Sequence, residues 1–203
     1  MLQLNKDAFY DAIRPRLFAG SIKAGQFAGL ETITDYYAKR YTDKHWLAYL
    51  LATTHHETAK TWQPIDEHGS DKYFFEMYDK AGKRPHVAAD LGNVMPGDGV
   101  RYHGRGYVQL TGRANYAAFS KVLTLDLVSH PEKAKEPATA AKILVEGSVR
   151  GLFTGKKLAD YFVGVREDQR NARRIINGLD KAELIAGYYN AFKDALHPSL
   201  LTV

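Results

Sequence analysis

KHWLAYLLATTHHETA, residues 44–59, is apolar nearly all round from Trp46 to Thr54. That is the character of a helix around which a domain packs its core. Asp43 stands just before it, where a short acceptor side chain caps a helix start. Glu57 falls on the wrong face for a solvated acid. At 100° per residue it lies within about 20° of Trp46 and Leu50 and about 40° of Thr53. A carboxyl closing an apolar stripe has its charged form destabilised, so Glu57 is expected to titrate above an ordinary glutamate, as a general acid near neutral pH requires. The plainer reading is a buried Glu satisfied by an arginine or a backbone amide.

Outward from this helix, further helical patterns dominate. Asn5 caps a short helix expected to end before Pro15. Phe27, Leu30, Ile33, Thr34 and Tyr37 recur at helical spacing between Gly25 and Tyr41. Helices are also read over Pro137 to Arg150, Val165 to Asn177 and Ala182 to Leu196. In the last, Leu184, Tyr188, Phe192 and Leu196 step by four along one face. Residues 60 to 100 are less regular. In RYHGRGYVQLT, 101–111, residues alternate as in a strand, and Thr111 is placed to cap a helix through TGRANYAAFSKVL. The reading is a mainly α protein with at most a small β-hairpin, one continuous domain over 1–203.

A second carboxylate is needed for glycosidase chemistry, and Asp66, Glu67 and Glu76 are the candidates. His55 and His56 invite a metal reading, but the HExxH spacing fails because Lys60 stands four residues beyond His56. No metal and no cofactor are expected. The chain has no cysteine, so thiolate nucleophiles and disulfides are excluded. A formal charge of +5 suits an anionic polymer. Arg166, Arg170, Arg173 and Arg174 would share a helical stripe if that segment is helical. The aromatic–basic interleaving of a nucleic-acid platform is missing, so no nucleic-acid partner is expected. There is neither a secretory signal nor a run long enough to span a bilayer. The expectation is a chain that starts in the cytoplasm, makes no stable membrane insertion, and needs another protein to let it out.

Four blocks then stand together in order: HHETA at 55–59, PGDG at 96–99, YHGRGYVQLTGRANY at 102–116 and RRIINGLDKAELIAGYYNAF at 173–192. They resemble the glycoside hydrolase family 19 chitinases and lysozymes, with the phage endolysins of that family as the closest likeness. DLVSHPEKAKEPATAAKIL at 126–144 also looks like a helical connection these enzymes carry.

The resemblance implies a bilobal, lysozyme-like helical fold with the substrate cleft between two lobes. It implies Glu57 as proton donor and Glu67 as the base that activates water, with Glu76 in reserve. Inversion would set the two carboxyls about 6.5–9.5 Å apart. Thr111 would help hold the water. Gln109 and Asn115 match sugar-binding positions, Asn177 with Arg173 or Arg174 matches a late segment that closes the cleft, and His56, Tyr102 and Arg105 join the expected substrate contacts. The implied activity is an endolysin, a muramidase acting on peptidoglycan glycan strands. It would work as a monomer, held in a host bacterial cytoplasm until a holin-type protein gives it access to the wall in the periplasm. Chitin and a non-catalytic glycan-binding role are the alternatives. The phage members often follow His-Glu-Thr or His-Glu-Ser with two glycines and an aromatic, where this chain has Ala59, Lys60, Thr61 and Trp62. The usual Asn-Gly-Gly has become Asn177, Gly178 and Leu179.

Overall fold

The computed structural model describes residues 1–200, so the last three positions of the expected 1–203 domain lie outside the described residues. In chain order the elements are α1 (Lys6–Leu17), α2 (Ala24–Ala38), α3 (Lys44–Glu57), β1 (Ile65–Asp66), α4 (Asp71–Tyr78), α5 (Pro85–Asp90), α6 (Asp98–Arg101), β2 (Arg105–Gly106), α7 (Arg113–Leu123), α8 (Pro137–Arg150), β3 (Phe162–Val163), β4 (Arg166–Glu167) and α9 (Ala182–Ser199). The mainly α expectation holds. The strands pair only as two short antiparallel ladders, β1 with β2 and β3 with β4. No helix among the described residues is long and apolar enough to cross a membrane.

The chain divides into two compact units. The first comprises Met1–Gln63 and the chain from Leu144 onward, and the second Pro64–Ile143, with the boundary falling inside α8. In the first unit α3 is the central element, packed on α9 and α2, while α1 also packs on α9. The Asp43 carboxylate accepts the amides of His45 at 2.7 Å and Trp46 at 3.3 Å, the cap its position predicts. Every side chain from Leu47 to His55 is buried. Leu47 and Leu51 share the core with Phe9, Ile13, Ile185, Phe192 and Leu196, all fully buried.

Three local expectations change here. α1 runs through Pro15 to Leu17, because a proline so near the end costs a single late hydrogen bond and Phe18 N–H still reaches Arg14 C=O. In α2, Phe27 stays 44% exposed while Leu30, Ile33, Thr34 and Tyr37 are buried. In α9 the buried face is rotated by one residue. Leu184 is 45% exposed, and Ile185 and Tyr189 are buried in its place with Phe192 and Leu196.

The second unit packs α4 against α5 and α6. Its hub is Asp79, fully buried, whose carboxylate accepts the amides of Gly97 (2.8 Å), Gly99 (3.3 Å) and Ala81 (3.2 Å). That contact fastens the PGDG turn to the end of α4. The strand-like run at 101–111 yields only β2 plus one bridge between Arg105 and Leu110. Gly106 and Gln109 take positive φ between them, which folds the segment into a tight turn. The cap of α7 is Gly112, not Thr111.

The loop after α3 holds Ala59 (φ 47°), Lys60 (φ 66°) and Trp62 (φ 59°) in left-handed conformation. Here the turn is held by Ala59 N–H to His56 C=O and Lys60 N–H to His55 C=O, both 2.9 Å, and by Trp62 N–H to the Thr58 hydroxyl at 3.0 Å. A left-handed L-residue costs roughly 1–2 kcal/mol, part of which glycine gives back through its freer unfolded chain. Ala59→Gly should therefore stabilise the protein by about 0.5–1 kcal/mol. Denaturant midpoints read this directly, and an unchanged or lower midpoint would mean the turn carries no strain.

Candidate active site

The first unit presents Glu57 as the last residue of α3. Its side chain keeps 19% of its exposure, and its Oε1 accepts a hydrogen bond from Arg173 Nη1. Arg173 is buried, and its Nε also donates to Asp180 C=O at 3.1 Å. The guanidinium is the arginine partner that the plainer reading of Glu57 called for.

Arg173 arrives there because the segment expected to be a helix over Val165 to Asn177 is not one. A β3–β4 hairpin turns at Gly164 (φ 59°), and a 3-10 turn follows over Asn171–Ile175. The Asp168 carboxylate accepts the Asn171 amide at 3.2 Å at its start, a local bond that competes with continuous helix. The arginine stripe consequently does not form. Arg173 turns inward, Arg174 and Arg166 stay exposed, and Arg170 pairs with Glu183 at 2.5 Å. Asn177 is exposed, with its N–H on Arg173 C=O (3.0 Å) and its side-chain oxygen accepting Gly178 N–H (2.8 Å).

The two histidines differ sharply. His56 is half-buried next to Glu57, and burial, only partly opposed by that carboxylate, lowers its pKa. His55 is fully buried and accepts the Trp62 indole N–H on Nδ1 at 3.1 Å. Burial, with Lys60 and His56 adding to it, pushes the His55 ring down to about 4 from 6.5. Between those two values the unfolded chain binds a proton that the native ring refuses, so stability falls as pH drops through that window and levels below it. The contribution is at most about 3 to 4 kcal/mol. His55→Asn should flatten this part of the curve of unfolding free energy against pH. An undiminished slope would assign the loss to other groups.

The second unit presents Glu67 immediately after β1. Its N–H donates to Gly104 C=O at 2.7 Å and so lengthens the β1–β2 pairing by one bond. Each carboxylate oxygen has a donor: Tyr78 O–H on Oε1 at 2.8 Å and Gly104 N–H on Oε2 at 3.1 Å. Burial, and then the Glu67 charge, raise the Tyr78 hydroxyl, which therefore stays a donor. The Thr111 hydroxyl donates to Gln109 C=O at 3.0 Å, and Asn115 Nδ2 donates to Thr111 C=O at 2.7 Å. Gln109 spends its amide N–H on Gly106 C=O at 3.2 Å.

These groups converge on Gly104. A Cβ there would stand 2.8 Å from Gln109 Oε1, 3.0 Å from Glu67 Oε2 and 3.2 Å from Thr111 Oγ1. Three of the expected residues, Glu67, Gln109 and Thr111, are thus brought together with Asn115 behind them. The other candidate carboxylates are committed elsewhere. Asp66 meets Arg105 (3.0 Å), His103 (3.3 Å) and Lys135, which outweigh the effect of its burial and hold it below the usual carboxylate range. Glu76 pairs with Lys83 at 2.8 Å, which lowers its pKa.

Two expected substrate contacts are turned inward. Tyr102 is 1% exposed, with its hydroxyl on Val128 C=O at 3.0 Å and the Arg113 guanidinium over its ring at 4.8 Å. Arg105 is 8% exposed and bonds Asp66, Arg101 C=O (3.0 Å) and the Tyr116 hydroxyl (3.0 Å). Both order the scaffold instead of offering a free face to a glycan. Tyr78 and Gly104 were not singled out from the residues. Ser70, which caps α4 through Tyr73 N–H at 3.2 Å, and the four-residue step from Phe74 to Tyr78 were the available signal. Among the described residues no three His, Asp or Glu side chains gather as metal ligands would.

Comparison with known proteins gives a consistent picture. The family model for glycoside hydrolase family 19, described as chitinase class I, matches residues 8–145. That span includes Glu57, Glu67 and the Gly104–Asn115 turn, and stops before Arg173. The chain is 30% identical over 142 residues to an acidic endochitinase of Petunia hybrida, covering 70% of this chain and 48% of that protein. It is 24% identical over 194 residues to an endochitinase of Persea americana, covering 85% and 58%. The chain thus spans about half the length of these curated relatives. A bacterial family 19 chitinase shares the fold at a TM-score of 0.54 and 18% identity, with 96% of this chain and 95% of that one covered. Chitinase C of Streptomyces griseus does so at 0.53 and 17%, covering 95% and 76%.

Proposed function

The chain belongs to glycoside hydrolase family 19, and on that premise we propose that it hydrolyses the β-1,4 bonds between N-acetylmuramic acid and N-acetylglucosamine in bacterial peptidoglycan. Glu57 is the proton donor to the leaving oxygen, and Glu67 is the base that takes a proton from the attacking water.

The convergence on Gly104 is the observation that carries the mechanism. A water nucleophile has two protons to place while its lone pair faces the anomeric carbon. Glu67 Oε2 accepts one. The Thr111 hydroxyl has already given its own proton to Gln109 C=O, so its oxygen is left as acceptor for the other. As the C1–O bond forms to water, the bond to the leaving sugar breaks with the proton from Glu57, and the anomeric configuration inverts. Tyr78 and the Gly104 amide hold the Glu67 carboxylate in one orientation, which spares the reaction that ordering step. Arg173 holds the Glu57 carboxyl in place through the bond to its Oε1.

Peptidoglycan is favoured over chitin by the net positive charge, which suits an anionic polymer. In that role the protein lyses a bacterial cell from within, once a holin-type protein opens the membrane. Chitin is the second reading, favoured by the names of the endochitinase relatives. Isolated sacculi and chitin oligomers incubated with the purified protein separate the two. New reducing ends on muramic acid establish the first. Soluble sugars from chitin with intact sacculi establish the second, and release from neither removes both in favour of glycan binding without cleavage.

A further inference from the structure

We propose that a pocket lined by Lys23, Gly25, Gln26, Ala59, Lys60 and Thr61 binds a carboxylate of the peptide stems that peptidoglycan carries and chitin lacks. The inference rests on the peptidoglycan reading above and gives that reading a determinant of substrate choice. The pocket has a volume of about 460 Å³, lies wholly within the first unit, and begins two residues beyond Glu57.

Its charge is uncompensated. Among the described residues neither Lys23 nor Lys60 has a carboxylate within ion-pair distance. Lys6, Lys83, Lys135 and Lys193 do, while the other described lysines share the unpaired state of Lys23 and Lys60, so it is their common pocket that sets these two apart. The Lys60 ammonium rests over the Tyr188 ring, 5.6 Å from its centre. The arrangement is also built. Gln26 accepts Lys23 N–H on its side-chain oxygen at 2.8 Å and donates its amide to Lys60 C=O at 2.9 Å. One side chain therefore pins the backbones of both cations to the same spot at the start of α2.

Lys60 is held at φ 66°, a conformation glycine would adopt without strain. A turn that served only to reverse the chain has no use for a long cation there. Strain kept at such a position is an indication of function when a second observation agrees, and here the second observation is that Gln26 ties the Lys23 and Lys60 backbones to one pocket. Two exposed ammonium groups on anchored backbones attract an anion as point charges. The neutral N-acetyl sugars of chitin offer them none.

The test compares one glycosidic bond in two settings: glycan strands bearing their stem peptides, and the same strands stripped of stems by an amidase. The variants are Lys23→Ala, Lys60→Gly, the double variant and Lys60→Arg. Glycine suits φ 66°, so Lys60→Gly stays folded, and its melting temperature is measured alongside. Wild type should cleave stem-bearing strands with the higher kcat/KM. Each lysine removed should shrink that preference by about twofold to fivefold, the range of a partly exposed ion pair. The double variant should show almost none, Lys60→Arg should keep it, and added salt should compress it in wild type. A wild-type preference of one, or a preference that survives in the double variant, overturns the pocket assignment and leaves the peptidoglycan reading standing. Cleavage of chitin oligomers with neither strand touched overturns the peptidoglycan reading, and the pocket assignment with it.

Discussion

Glu57→Gln should lower the rate of reducing-end release by about 10³-fold, within the range general acid catalysis supplies. The amide keeps the shape of the carboxyl and an acceptor for Arg173, but it has no proton to give to a departing sugar oxygen. It also leaves the buried Arg173 guanidinium without its counter-charge, so the variant should melt earlier than wild type. Glu67→Gln should lose rate to a similar degree, with Tyr78 and the Gly104 amide still in place around it. Both rates are read on the substrate the wild type cleaves, with circular dichroism to confirm the fold. A Glu57→Gln protein that cleaves at more than a tenth of the wild-type rate would move the proton donor elsewhere. Retained activity in Glu67→Gln alone would return the base to Asp66 or Glu76, despite their cationic partners.

Gly104→Ala should separate activity from stability. Gly104 is absent from the positive-φ positions, so alanine meets no backbone strain. Its methyl would nevertheless press on three oxygens at 2.8–3.2 Å. Those atoms sit at the ends of side chains that can yield, so the stability cost should be small, about 1 kcal/mol or less. Yielding is what the chemistry does not tolerate. A displacement of about 1 Å in catalytic groups costs on the order of 10²-fold in rate. The expected result is therefore a kcat reduced about 10²-fold with a melting temperature within a few degrees of wild type. A kcat near wild type would show that the three oxygens do not hold the reacting water.

The sequence was most legible where one local rule acted alone. α8 has the bounds its pattern suggested, and Asn5 and Asp43 cap the helices they precede. Glu57 closes α3, the helix its pattern placed it on. The missed elements are those with no room for periodicity: α4, α5 and α6 have eight, six and four residues. The 165–177 segment carried an apparent helical arginine pattern, but Gly164 and the Asp168 side chain supplied turns that won. The surroundings of Glu67 were hidden for a different reason. Its donors come from positions 78 and 104, and only the folded chain brings such distant positions to one carboxylate. Tyr102 and Arg105 were read from their place in a motif, which says that a residue matters without saying whether it faces inward.

The left-handed turn after α3 bears on how this protein could be changed. It holds three non-glycine residues where each extracts a conformational cost, so the native chain is not at its own optimum. A background carrying Ala59→Gly would have headroom to absorb destabilising substitutions nearby, Glu57→Gln among them, which widens the set of variants that can be purified and assayed. The same headroom is what laboratory selection consumes when it shifts an enzyme toward a new polymer. The short stretch from Ala59 to Trp62 is thus where durability could be added first and then spent on substrate range.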